Sequence, residues 1–289
     1  MAVRLPQKGI LRPKILALIC LLSIPACGTL GTRIDRTQVD VGAPSVGEII
    51  GDLAVNESAI QSFRAAGSFT LESPEFDSIK KFRGGRILFR RPTDLYVQGN
   101  HRITNITLFR LTSSGEEFVM VFPTEKELSF YQIAGELFED VPFTVSPADV
   151  ALEMFLPEPW ADIGRREVRL MEYVASTGEA MIEVGPKKSP RRRVWVSRVG
   201  IADPRWVAVR NVRLAEAGRI LAHTESSEFH ELDGASFPAV VDAWFPTEQT
   251  RMRFEMRNIR LNVELADQDF DVRARAAELG LLEPAAAGR

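Results

Sequence analysis

Between residues 68 and 265, apolar, β-branched and aromatic residues gather in short runs separated by turn signals, the pattern of consecutive strands. Runs at 68–71, 86–89, 95–98, 106–111, 118–122 and 128–133 precede a break, and runs at 168–173, 180–184, 194–199, 206–214, 220–229, 240–245 and 252–265 follow it. Turns are marked by Arg91-Pro92-Thr93-Asp94, Ser113-Ser114-Gly115 and Pro123-Thr124. Helical spacing occurs in three places. Ile49, Ile50, Leu53 and Ile60 predict an amphipathic helix over 46–64. In the central break, Ser146 suits an N-cap and Pro147 the first helical position, and Val150, Met154 and Phe155 form one face before Pro157. A third helix is expected over 274–282, with a frayed tail at 284–289.

One strand carries an irregularity. Met252, Phe254 and Met256 share a face, but after Asn258 the apolar set becomes Ile259, Leu261, Val263 and Leu265, so an extra residue, a β-bulge, is expected at Asn258. The same switch occurs near Asn211, in the nearly identical context Arg210-Asn211-Val212-Arg213-Leu214. Either the chain holds an internal repeat of hairpins or two bulges curve one long antiparallel sheet. The second is the preferred reading.

The first residues change the picture of where this domain works. Arg4, Lys8, Arg12 and Lys14 precede an uncharged run from 15 to 26, too short to span a bilayer and suited to a cleaved signal. That run ends in Leu22-Ser23-Ile24-Pro25-Ala26-Cys27-Gly28, which resembles a bacterial lipobox; the plainer alternative is a secretory signal that happens to contain Cys. The resemblance implies that Cys27 becomes the acylated first residue of the mature chain, and Gly28 after it favours an outer-membrane destination facing the periplasm. Cys20 is lost with the signal, so no thiol remains for a disulfide, a metal site or a nucleophile. Four basic and no acidic residues leave with the signal, and the remaining 32 basic and 39 acidic residues give a net charge of −7. An acidic body offers nucleic acid no general attraction. The domain organisation expected is a signal at 1–26, a flexible tether at 27–45, a β domain at 46–272 and a C-terminal helix and tail at 273–289.

Residues 209–272 resemble the C-terminal part of the LolA/LolB-like superfamily of periplasmic lipoprotein carriers and lipid-anchored acceptors. The residues that carry this are a strand ending in Val212-Arg213-Leu214, a turn at Gly218, a strand to His230, Asp233-Gly234 leading to Phe237-Pro238, and a last strand with Asn262, Asp267 and Phe270. The resemblance implies a mostly β fold: a curved antiparallel sheet forming an incomplete barrel, with a few helices over an apolar concave face that holds acyl chains. Read from the strands alone, a sheet curled on itself with side chains filling the middle is equally consistent.

Candidate contacts follow from two loops. Leu137 and Phe138, beside Gly135, form either a membrane-facing or cargo loop or an ordinary hairpin tip. Lys187, Lys188, Arg191, Arg192 and Arg193 place five positive charges at another tip, suited either to anionic headgroups or to a solvated turn. His223 and His230 are separated by an odd number of residues and so face opposite sides of a strand; no metal site is expected, and His101 belongs to a turn. No nucleophile elbow, phosphate loop or paired carboxylates are present, so neither an enzyme nor a cofactor is expected. The leading expectation is a membrane-anchored protein that binds lipid or an acylated lipoprotein; the alternative is an envelope lipoprotein that scaffolds a partner protein.

Overall fold

The computed structural model describes residues 42–280, except 75, 102–103, 105, 116, 124–128, 133–146, 156–158, 164–166 and 201–202. The signal, Cys27, the tether through 41, the Leu137–Phe138 loop, Ser146 and the tail from 281 lie outside the described residues. Every described element belongs to one compact unit, Asp40–Arg289.

The sheet is built from two antiparallel meanders. The first comprises β1 (Ser62–Glu72), β2 (Lys80–Arg90), β3 (Asp94–Asn100), β4 (Thr107–Ser114), β5 (Glu117–Val121) and β6 (Ser129–Gln132). The second comprises β7 (Val168–Val174), β8 (Glu179–Val184), β9 (Arg192–Val199), β10 (Arg205–Leu214), β11 (Ile220–Leu232), β12 (Ala235–Phe245) and β13 (Thr250–Leu261). β1 pairs with β13, joining the meanders into one 13-stranded sheet whose edges are β6 and β7. Those edges do not pair, so the sheet is not closed into a barrel. Among the described residues three α-helices accompany it: α1 (Val46–Ser58), α2 (Pro147–Phe155) and α3 (Val272–Glu278).

Strand alternation sets the two faces. Opposite Phe69 and Leu71 stand Phe254 and Met252, all inward and buried, while Thr70 and Glu72 face Arg253 and Arg251 on the outer side. At Asn258, with φ of 51°, the pairing slips from Arg64↔Arg260 to Ala66↔Arg257, which is the bulge the face switch requires. In β10 the slip lies between Ala208 and Arg210, ahead of the expected Asn211. The reason is side-chain demand. Trp206 meets α1, Asn211 meets α2, and their odd separation puts them on one face only if an extra residue intervenes. β1 also starts earlier than the helical spacing suggested. Phe63, Ala65, Phe69 and Leu71 alternate at the strand period, and α1 ends at Ser58. β12 likewise starts at Ala235, because Asp233 and Gly234 both have positive φ and form a two-residue hairpin turn.

Gly67 and Gly85 are register partners across β1 and β2. A methyl group on Gly67 would overlap the Glu255 carbonyl oxygen of β13, and one on Gly85 the Gln98 carbonyl oxygen of β3. Four adjacent strands therefore approach where only glycine fits. Gly67→Ala is expected to lower stability by about 1–3 kcal/mol by overpacking; urea unfolding with an unchanged slope would show it, and an unchanged midpoint would contradict it.

The helices cover different parts of this sheet. Ser45 caps α1 by accepting from the Glu48 N–H at 3.1 Å, and Ile49, Ile50 and Leu53 pack with Trp160, Ile182, Val194 and Trp206. Asn56 locks α1 to β12, donating to the Ser236 carbonyl at 3.1 Å and accepting from its N–H at 2.6 Å. α2 places Val150, Ala151 and Met154 on the inner face of the sheet, against strands of both meanders. α3 starts two residues before its expected position because Asp271 accepts from the Ala274 N–H at 2.8 Å, and it sets Val272 and Ala276 against Val119 and Val121.

Candidate functional site

Alternation along β1, β2, β4, β12 and β13 delivers phenylalanine to one inner surface. Phe69 stacks on Phe82 and Phe254, with centroids 5.1 and 5.0 Å away, and lies 5.0 Å from Phe109. Phe63 contacts Phe89, Phe155 of α2 and Phe237 at 5.5, 5.0 and 4.8 Å. Between these rings and Val150 of α2 an apolar void of about 20 Å³ remains, walled by Leu71, Val97, Leu111, Phe118, Met120 and Met252 among others. Ligand pockets occupy roughly 300–1,000 Å³. Among the described residues no open apolar hollow of that size lies over these rings: of the two interiors the strands allow, the packed one is seen there. The bulk of the rings and the insertion of α2 account for it.

A second cavity, about 80 Å³, lies between α1 and α2 over β10, β11 and β12. Beside it sits Glu153 of α2, whose side chain is 1% exposed. Arg192 of β9 grips it with two bonds of 2.7 and 3.2 Å, Arg213 approaches at 3.2 Å, and the Asn211 side-chain N–H₂ donates at 3.3 Å. A carboxylate can be buried only with such compensation. At the other wall Glu57 of α1 accepts from the Trp160 N–H at 2.6 Å and from Arg91 at 3.1 Å. Both carboxylates are held by arginines and act as braces; neither is placed as an acid or base.

The structure divides the predicted basic tip. Lys187 and Lys188 are exposed in the β8–β9 connection, Arg191 pairs with Glu167 at 3.0 Å, and Arg193 pairs with Glu183 at 2.9 Å. Arg192 corrects the expectation of a five-charge surface. Strand alternation turns it inward to Glu153, where it cannot meet a headgroup. His223 and His230 have Trp244 and Phe237 as register partners, and no metal-competent cluster of His, Cys, Asp or Glu occurs among the described residues. The inward cluster of Glu153, Arg192, Asn211, Arg213 and Thr224 escaped the sequence reading, which took Arg192 for a surface charge and Asn211 for a bulge marker. The available signal was Glu153 standing three residues after Val150, on the apolar face of α2.

On the outer face a polar groove of about 530 Å³ runs past Glu172, Trp195, Arg210, Glu225 and Asp242. Two of its arginines are paired: Arg210 with Glu225 at 3.1 Å and Arg251 with Asp242 at 2.8 Å. Hydrogen bonding from Arg253 holds the Glu255 carboxyl below its ordinary range, and the bonds that Arg251 donates to Asp242 raise the Arg251 guanidinium. These groups are solvated, so the pairs add little stability. No described helix is long and apolar enough to cross a membrane.

No protein-family model and no curated protein matches the chain. Among solved structures it is similar to a DUF1329 family protein from Desulfovibrio piger, with a TM-score of 0.46 and 15% identity over 78% of this chain and 98% of that one. It is also similar to a LolA superfamily protein from Nitrosomonas europaea, with a TM-score of 0.46 and 12% identity over 79% of this chain and 98% of that one.

Proposed function

We propose that this chain is a bacterial envelope lipoprotein, anchored through acylated Cys27 on the periplasmic side of the outer membrane, that binds acyl chains between the phenylalanine surface and α2. The carrying observation is that an apolar surface spanning several strands is covered by one nine-residue helix. A tail entering there takes over the contacts of Val150, Ala151 and Met154, so its burial, at about 25 cal/mol per Å², offsets the apolar part of the cost of shifting α2. The free cargo is lipid or the lipid end of an acylated lipoprotein. Leu137 and Phe138 would guide it, and Lys187, Lys188, Arg191 and Arg193 would face anionic headgroups. The residues from Cys27 to about 45 would act as the tether.

The purified full chain is expected to take up a fluorescent fatty acid saturably and to carry acyl chains in native mass spectra. Absence of both would overturn the reading.

One observation favours the second reading, a scaffold for a partner protein. β7 is a sheet edge with Met171 and Val174 exposed, a template on which a partner strand can add. Crosslinking in cells that recovers one dominant protein and no lipid would decide for it.

A further inference from the structure

The cavity between α1 and α2 combines apolar walls with polar groups that lack partners. Asn211 of β10 and Thr224 of β11 are register partners, so their side chains project side by side on the inner face. They are 4% and 3% exposed, both line the cavity, and neither the Asn211 Oδ1 nor the Thr224 Oγ1 has a hydrogen-bond partner. Two adjacent unpaired oxygens in a buried space are costly unless something enters to bond them.

We infer that this cavity is a subsite for a neutral, hydroxyl-bearing head group, such as the glyceryl end of an acylglycerol, held by Asn211 and Thr224; the inference rests on the lipid-binding reading and names its ligand class. The chemistry selects the head. The Asn211 N–H₂ already donates to Glu153, so its Oδ1 faces the cavity as an acceptor only and requires a donor. A carboxylate or phosphate diester brings no proton and would lie beside Glu153. An ammonium would lie beside Arg192 and Arg213, which already surround that carboxylate. An alcohol fits: one hydroxyl donates to Asn211, and a neighbouring oxygen exchanges a bond with the Thr224 hydroxyl. About 80 Å³ admits a three-carbon diol or a few waters but no hydrocarbon tail. A tail would pass to the apolar surface where Phe155 and Phe237, which line the cavity, also contact Phe63, and their rings must turn aside to admit it.

The test uses the purified full chain and competition against a bound fluorescent fatty acid. 1-Monooleoylglycerol is expected to compete about fivefold or more better than methyl oleate, which has the same tail and no hydroxyl. Thr224→Val, which removes an unpartnered hydroxyl at nearly constant shape, is expected to erase most of that preference while leaving methyl oleate binding and the melting temperature unreduced. Asn211→Leu should act similarly, but it also breaks a bond to Glu153, so Thr224→Val is the deciding variant. Equal competition by the two esters, or a preference that survives Thr224→Val, overturns the subsite and leaves the cavity to water while lipid binding stands. If neither ester competes and no fatty acid binds, both the subsite and the lipid-binding reading fall.

Discussion

Glu153→Ala is expected to lower the unfolding free energy by about 3–5 kcal/mol, because it leaves Arg192 buried with its charge uncompensated. The pair is covered on both sides, 1% and 8% exposed, so solvent screening cannot soften the loss as it does for the outer-face pairs. The damage should be local in origin. Glu153 is the polar grip of α2 on the second meander, through Arg192 and Arg213, while the apolar side of α2 packs on strands of both meanders, with Phe155 against Phe63, Phe89 and Phe254. Its removal should therefore loosen α2 before the strands, and uptake of fatty acid should accelerate as stability falls. Replacing both partners, Glu153→Leu with Arg192→Leu, is expected to recover much of the loss, since no lone charge remains buried. Urea unfolding of Glu153→Leu, Arg192→Leu and the double variant gives the coupling directly. A loss below about 1 kcal/mol for Glu153→Ala would mean that water reaches the pair and that α2 is not held this way.

Phe69→Ala should cost a similar amount, about 3–5 kcal/mol, for a different reason. Phe69 lies among Phe82, Phe109 and Phe254, and its ring borders the existing 20 Å³ void, so truncation joins the lost ring volume to that void. The enlarged space has only apolar walls and should stay dry. Xenon or benzene should then bind the variant and raise its melting temperature, with no such effect on the unchanged chain. If neither gas nor solvent molecule stabilises the variant, α2 has slumped into the gap, and the measured loss should fall toward the lower end because the site has collapsed.

The strand runs were legible because burial imposes a period of two. Met252, Phe254 and Met256 announce an inner face, and the shift to Ile259 and Leu261 announces the bulge at Asn258. The start of β1 was harder, since Ile60 and Phe63 satisfy helical spacing while Phe63, Ala65 and Phe69 satisfy strand spacing; pairing with β13, far away in sequence, decides between them. The packed interior was not legible. Alternation says which residues face inward, but whether Phe63, Phe69, Phe109 and Phe254 meet across the middle depends on how sharply the sheet bends, which glycine contacts such as Gly67 over Glu255 determine. The Glu153 cluster was invisible for a related reason. Arg192 reads as one of a surface row of arginines until β9 is seen to aim it at α2. The Asn211 motif was read as a bulge marker, whereas its side chain is part of the polar cavity wall.

The seam between β1 and β13 has a consequence for how the molecule is made. These strands bond residues near 63 to residues near 261, so the first meander stays detached from the second until nearly the whole domain has emerged. Until then β1 and β12 each present an unsatisfied backbone edge, the sort of surface that recruits wrong partners. Such distant pairing predicts slow, late-committing assembly, with the last strand acting as the zipper and every shortened chain left as two sticky halves.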